Sequence, residues 1–149
     1  MINDSLFRML QLGHQGYCCS QILVALALET RSETNPALVR SMAGLCNGIG
    51  NNGEICGALS GAACLLALYA AKGSDEEQED ERLSLMIAEL FEWIEENVAV
   101  NYGGLKCSDI MGEALPGKPD VSRCGNIVAE TYGKSQEILV NNGFDPGQR

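Results

Sequence analysis

The sequence predicts an all-α protein, a single-domain bundle of about six helices with a small-residue, apolar helix at its centre. Two observations favour this fold class. Apolar residues recur at helical spacing in several segments, and no segment alternates apolar and polar residues over the length of a strand. The 149 residues suit one domain, which we take as residues 1–149. A chain of this length buries roughly 68–70% of its unfolded surface without needing disulfide bonds.

The first two helices are expected near the N-terminus. Residues 2–12 carry apolar side chains at positions 2, 6, 9 and 10, which indicates an amphipathic helix. A second helix is expected to start near Cys18 or Cys19. Its residues 22–28 are apolar on every side, so this helix is predicted to lie at the centre of the bundle.

A third helix and the central helix flank a glycine loop, residues 44–53. Asn35-Pro36 is typical of an N-cap followed by proline at the first helical position, so it opens the third helix. After the loop, residues 55–71 carry no charge and are rich in alanine and glycine. We expect them to form a buried helix and not a membrane span, with Gly57 and Gly61 packed against a neighbouring helix.

Two more helices are expected in the second half of the chain. Ser74-Asp75-Glu76-Glu77 has the pattern of a capping box and is expected to open a long amphipathic helix. We interpret the acidic segment, residues 75–81, as a solvated face whose carboxylates favour the start of that helix. Asp120 is expected to cap a last helix that Gly143 stops. The predicted apolar stripe of the long helix comprises Leu83, Ile87, Leu90, Ile94 and Val98.

The charge balance narrows the classes of partner. Twenty acidic residues against ten Lys and Arg give a formal net charge of -10. Such a protein has no basic surface to neutralise a phosphate backbone, so nucleic acid is not expected as a partner. The same charge disfavours an anionic membrane surface. It permits docking to a basic protein.

The cysteine count bears on the compartment. Residues 1–8 lack the basic and apolar regions of a signal peptide, so we expect a cytoplasmic protein. Structural disulfides are rare in that reducing compartment, and seven cysteines cannot all pair within one chain. The cysteines are therefore expected to be ligands, redox thiols or buried apolar residues. Cys64, within an apolar run, is expected to be buried, while the roles of Cys18 and Cys46 stay open.

One cysteine stands where a helix and the glycine loop meet. The motif reads Cys56-Gly57-Ala58-Leu59-Ser60-Gly61, and the positive end of a helix there favours the thiolate. Gly57 allows backbone or a cofactor to approach closely. The loop glycines Gly48, Gly50 and Gly53 match G-x-G-x-x-G, but no strand is expected before them, which disfavours a dinucleotide site. We expect the loop N–H groups to form an anion nest, which suits a sulfide-bearing cluster or a thiolate pair as well as phosphate.

Two common kinds of site are disfavoured. His14 is the single histidine, so multi-histidine metal sites are excluded and no nucleophile–base set for a hydrolase is recognisable. A zinc site built from four cysteines usually contains C-x₂₋₄-C pairs, and the sequence contains none.

The remaining cysteines complete a pattern. Gly16-Tyr17-Cys18-Cys19-Ser20-Gln21 comes first, then the motif that starts at Cys56, then Cys107 and Cys124, each isolated. This order resembles the C-GCAxxG-C-C family, a group of bacterial proteins of about this size to which redox activity is attributed. The resemblance covers nearly the whole chain and implies that Cys19, Cys56, Cys107 and Cys124 act together. A similar domain beside haem modules in certain cytochromes implies electron transfer.

Three functions stay open for these four cysteines. Four buried thiolates repel each other, and an iron–sulfur cluster, for example 2Fe–2S, would neutralise them and make a small electron-transfer protein. Without a cluster they are the redox thiols of a protein that cycles a cysteine pair between dithiol and disulfide. The third option is an accessory or scaffold protein with buried structural cysteines. We expect a redox carrier or accessory protein with a basic redox partner, and a homodimer stays open.

Overall fold

The computed structural model describes residues 2–112 and 121–148, with side chains for residues 4–112 and 124–148. Over these residues the protein is all-α and contains no strand, which confirms the predicted fold class. The helices are α1 (Ile2–His14), α2 (Cys19–Thr30), α3 (Pro36–Ser41), α4 (Gly57–Ala70), α5 (Leu83–Ile94), α6 (Val100–Tyr102), α7 (Cys107–Met111) and α8 (Val121–Asn141). A 3-10 turn, Met42–Leu45, follows α3, and a π-helical turn, Glu95–Ala99, joins α5 to α6.

Helices α2 and α4 pack against each other at the centre of the bundle. Helix α4 also contacts α5 and α8. Helices α2 and α4 approach closely because Gly61 has no side chain. An ideal Cβ at this position would lie 2.8 Å from Ser20 Cα and 3.1 Å from Leu23 Cδ1. Gly57 also faces α2, so the predicted small-residue packing face is confirmed. Fully buried residues of this core include Leu23, Leu65, Leu66, Leu90 and Ile138.

Two predicted helix ends are confirmed. Asn35 caps α3, because its side-chain oxygen accepts a hydrogen bond from Leu38 N at 3.0 Å. After α8, Gly143 adopts a φ of +84°, and Phe144 N donates back to Leu139 O at 2.9 Å. The predicted cap at Asp120 lies outside the described residues.

The predicted start of the long amphipathic helix is wrong. Helix α5 begins at Leu83, and residues 72–79 are exposed turn and coil. Ser74 O accepts from Glu77 N at 3.1 Å, so the capping-box pattern closes a turn instead. No apolar residue occurs between 73 and 82, so a helix there would have no face to bury. The predicted stripe is buried from Leu83 onward, with Ile87 partly buried.

Part of the glycine loop is left-handed. Residues 47–51 have φ values of +51°, +72°, +63°, +56° and +69°, and we call them the left-handed turn. Hydrogen bonds from Gly53 N to Asn47 O (3.2 Å) and from Glu54 N to Gly48 O (3.0 Å) close it. A side chain at Gly48 would overlap the backbone of Glu54, so this position requires glycine. Ile49 adopts a conformation that β-branched residues rarely take.

No helix within the described ranges is both long enough and apolar enough to cross a membrane.

Candidate functional site

Cys19, Cys56, Cys107 and Cys124 line one small cavity of about 20 Å³, which we call the four-cysteine cavity. Cys19 and Cys107 are the first residues of α2 and α7, and Cys56 directly precedes α4. Cys124 lies in the first turn of α8. The starts of four helices thus meet at one point. The cavity has room for about one water molecule.

A short backbone pairing holds two of these cysteines opposite each other. Ile55 and Lys106 form an isolated antiparallel bridge. On either side of it, Cys56 N donates to Leu105 O at 2.9 Å, and Cys107 N donates to Glu54 O at 2.6 Å. These bonds fix the backbone of both cysteines before their helices begin.

The rest of the cavity wall is mainly apolar. Besides the cysteines it comprises Asn47, Gly57, Ala58, Ile110, Met111, Ile127 and Val128. The lack of a side chain at Gly57 is necessary, because an ideal Cβ there would overlap Cys19 Sγ.

The glycine loop reaches the cavity at one residue. Asn47 is part of the cavity wall, whereas Gly48, Gly50 and Gly53 are not among the residues that line it. The three loop glycines instead serve the left-handed backbone, since each has a positive φ. Sequence reasoning missed Asn47, although it directly follows Cys46 and opens the glycine-rich run.

Burial controls the ionisation of the cavity thiols. Burial and the neighbouring Cys56 raise the pKa of Cys19 to about 11, although the N–H groups of Asn47 and Ser20 oppose the shift. Burial also raises the pKa of Cys56, despite N–H groups of Ala58 and Leu59. The N–H groups at the start of α4 thus favour the Cys56 thiolate, as expected, but burial outweighs them, so the pKa lies above its usual value.

The other two cysteines of the cavity are Cys107 and Cys124. Burial, and then the charge of Cys56, raise the pKa of Cys107. The thiol of Cys124 donates a hydrogen bond to Met111 Sδ at 3.4 Å. Burial therefore favours the neutral thiols of Cys19, Cys56 and Cys107 at pH 7.

Two further cysteines form a disulfide that sequence reasoning missed. Cys18 and Cys46 are joined, with their Cα atoms 5.9 Å apart. Cys18 directly precedes α2, and Cys46 ends the 3-10 turn. The available signal was the adjacency of Cys18 and Cys19: neighbouring residues at a helix start point about 100° apart, so only one of them faces the cavity.

The other candidate residues, Cys64 and His14, are not among the residues that line the four-cysteine cavity. Cys64 is partly buried and packs against Val24, Leu28 and Met42. It thus packs as an apolar residue, as its place in an apolar run predicts. His14 is exposed at the end of α1. In the part of the chain with described side chains, no three Cys, His, Asp or Glu residues are arranged so that they could hold a metal ion.

The comparison with family models identifies the chain. A model described as "Putative redox-active protein (C_GCAxxG_C_C)" matches residues 17–138. The chain belongs to the C-GCAxxG-C-C family. This confirms the resemblance seen in the sequence, and the matched residues include all four cysteines of the cavity. Searches of curated proteins and of solved structures returned no significant match.

Proposed function

We propose that this C-GCAxxG-C-C protein is a small electron-transfer protein in which Cys19, Cys56, Cys107 and Cys124 bind an iron–sulfur cluster. The observation that carries the proposal is that these four side chains, distant in sequence, line one cavity. Four cysteine thiolates are the usual ligand set of 2Fe–2S and 4Fe–4S clusters. Membership of a redox-active family supports the same conclusion.

The donor chemistry of the cavity suits this group. Within the described residues its wall carries neither carboxylate nor imidazole, so sulfur is the principal side-chain ligand. Burial makes unpaired thiolates unfavourable there, and bound iron would supply the positive charge that lets the thiols deprotonate. When bound, the cluster supplies a one-electron redox centre.

The chain's own residues hold and tune that centre. The N–H groups of Asn47 and Ser20 are directed at Cys19, and those of Ala58 and Leu59 at Cys56. Such hydrogen bonds to sulfur raise the reduction potential of a cluster by stabilising its negative charge. The apolar wall formed by Ile110, Ile127 and Val128 excludes water.

Binding the cluster requires the cavity to widen, since its present volume suits one water molecule. The wall at Met111, near the end of α7, is the one expected to move, because this residue is only partly buried. The start of α7 is held by the bonds from Cys107 N and Ser108 N, and Ile110 is buried in the core. Helices α2 and α4 are fixed by their mutual packing.

The test is reconstitution of purified protein with ferrous iron and sulfide under anaerobic conditions. We expect visible absorbance, an electron paramagnetic resonance signal after reduction, and bound iron and acid-labile sulfide. Cys56→Ser should lose all of these and should destabilise the protein, because ligation joins four chain segments. Cys64→Ser is the matched control and should retain them. Reconstituted wild-type protein without iron and sulfide would refute the proposal.

Thiol–disulfide exchange is the second candidate, and the Cys18–Cys46 disulfide is the observation that favours it. It ranks second for the cavity because the four cavity cysteines are not joined in disulfides. Under this alternative, Cys56→Ser gives a colourless, well-folded protein that has lost one titratable thiol. If the protein is instead an accessory or scaffold protein, neither cluster binding nor thiol–disulfide exchange is observed.

A basic redox partner remains part of the proposal. The acidic segment is exposed apart from Asp80, whose carboxylate pairs with Arg82. Apart from Glu77, which accepts a hydrogen bond from Gly73 N, its other carboxylates are available to a positively charged surface. A homodimer and a cytoplasmic location stay predictions.

A further inference from the structure

We propose that the Cys18–Cys46 disulfide is a thiol-exchange site through which an external dithiol controls the left-handed turn and so the place of Asn47 in the wall of the four-cysteine cavity. The control of the turn stands independently, whereas its effect on a cluster rests on the proposed function.

The position of the disulfide links it to the cavity. Cys18 directly precedes Cys19, and Cys46 directly precedes Asn47. Asn47 and Cys19 both line the cavity. The disulfide therefore joins the residue before one wall residue to the residue before the other. Breaking it removes the cross-link between the two segments that carry these wall residues.

The segment that follows Cys46 depends on anchors at its two ends. The left-handed turn begins at Asn47, and residues 49–52 are exposed. Its far end is held by Ser108 N, which donates to Gly53 O at 3.1 Å, and by the bond from Cys107 N to Glu54 O. Its near end is held by the disulfide and by Asn51 N, which donates to Cys46 O at 3.1 Å. Left-handed backbone is tolerated at Asn47 and Asn51 but is unfavourable at Ile49, so loss of the disulfide favours rearrangement of this turn.

The surroundings of the disulfide suit both redox states. Cys18 and Cys46 are half-buried, and the nearby residues Tyr17 and Gly44 are exposed, so the disulfide lies near the protein surface. Ser20 Oγ lies 3.3 Å from Cys18 Sγ and 3.6 Å from Cys46 Sγ, and it donates to Met42 O at 2.8 Å. Its lone pairs are positioned to accept a hydrogen bond from either thiol after reduction. The reduced pair therefore keeps a polar partner at this site.

The exchange is a two-electron reaction. A thiolate of the external dithiol attacks one sulfur of the Cys18–Cys46 bond, forms a mixed disulfide and releases the other cysteine as a thiolate, which takes up a proton. The second thiol of the dithiol then displaces the remaining cysteine. The external reductant leaves as a disulfide, and the protein gains two electrons and two protons.

The test uses the protein without iron, so that it does not depend on cluster binding. Wild-type protein oxidised by glutathione disulfide is compared with dithiothreitol-reduced protein and with the double variant Cys18→Ser/Cys46→Ser. Hydrogen exchange is measured by NMR at the Asn51 amide, which donates to Cys46 O at 3.1 Å. In the reduced and variant proteins we expect it to be about two- to tenfold faster, corresponding to one hydrogen bond. Amides in the middle of α4 should be unchanged, and Cys64→Ser is the matched control.

Two results would overturn the proposal. One is equal exchange at the Asn51 amide in the oxidised and reduced proteins. The other is alkylation of both Cys18 and Cys46 in the oxidised protein, detected by mass spectrometry, since the disulfide would then be absent. In a separate reconstitution series, iron should be lost faster from the double variant than from oxidised wild-type protein. A change at the Asn51 amide in a protein that takes up no iron on reconstitution would refute the cluster and leave the exchange site standing.

Discussion

The packing of α2 against α4 makes a specific prediction about Gly61. An added methyl group at this position would meet Ser20 Cα at 2.8 Å and Ser20 O at 3.2 Å, both backbone atoms that cannot rotate away. Overpacking of this kind costs about 1–3 kcal/mol. Replacing a glycine inside a helix by alanine also gains about 1 kcal/mol of helix propensity, so the single variant Gly61→Ala mixes two opposing effects.

Gly133 separates these effects. It lies within α8, is exposed, and among the described atoms an ideal Cβ there has no neighbour within 4 Å. Gly133→Ala should therefore gain the propensity alone and raise the free energy of unfolding by about 1 kcal/mol. The difference between the two variants isolates the α2–α4 contact and should be about 1–3 kcal/mol. Gly61→Leu should be less stable than Gly61→Ala.

The assay is urea unfolding followed by circular dichroism, on protein without iron so that ligand binding does not contribute. If the urea midpoints shift while the dependence of the free energy of unfolding on urea stays the same, the variants differ in stability. The surface exposed on unfolding is then unchanged. Equal stabilisation by Gly61→Ala and Gly133→Ala would refute close packing of α2 on α4 at this point.

Two further predictions concern the cavity and the left-handed turn. Because the pKa of Cys19 rises from about 9 to about 11 on folding, protein without iron should have its full stability below pH 9 and lose about 3 kcal/mol between pH 9 and 11. Cys19→Ala should flatten the profile of urea midpoint against pH, and an unchanged slope would contradict the assigned shift. Ile49→Gly should raise the free energy of unfolding by about 1 kcal/mol, because Ile49 is 44% exposed at a φ of +63°. A lower urea midpoint would show that contacts of the Ile49 side chain outweigh its backbone strain.

The fold was predictable where a pattern had a single physical interpretation. Uniformly apolar residues in α2 and glycines at helical spacing in α4 both required a buried helix with a close neighbour. The pattern around Ser74 had two interpretations, since the same hydrogen-bonding side chains close a turn or begin a helix. The absence of apolar residues between 73 and 82 was the information that decided between them.

The candidate site was predictable in its cysteines and not in its surroundings. Family resemblance indicated four positions, and the structure brings them to one cavity. The ionisation of Cys56 was not predictable, because motif spacing shows where a helix starts but not how deeply its first thiol is buried. The pairing of Cys18 with Cys46 was missed because it depends on the path of the chain through α3, which no local pattern specifies.

The exposed coil between α4 and α5 has a consequence for how the molecule could be divided. It separates α1–α4, with Cys19 and Cys56, from α5–α8, with Cys107 and Cys124. Each half also holds part of one shared core, with Leu65 on one side and Ile138 on the other. A chain cut within residues 75–79 would give two fragments, each with half of the cavity and an incomplete core. The fragments should then recognise each other, and on the proposed function a coloured cluster would report their reassembly.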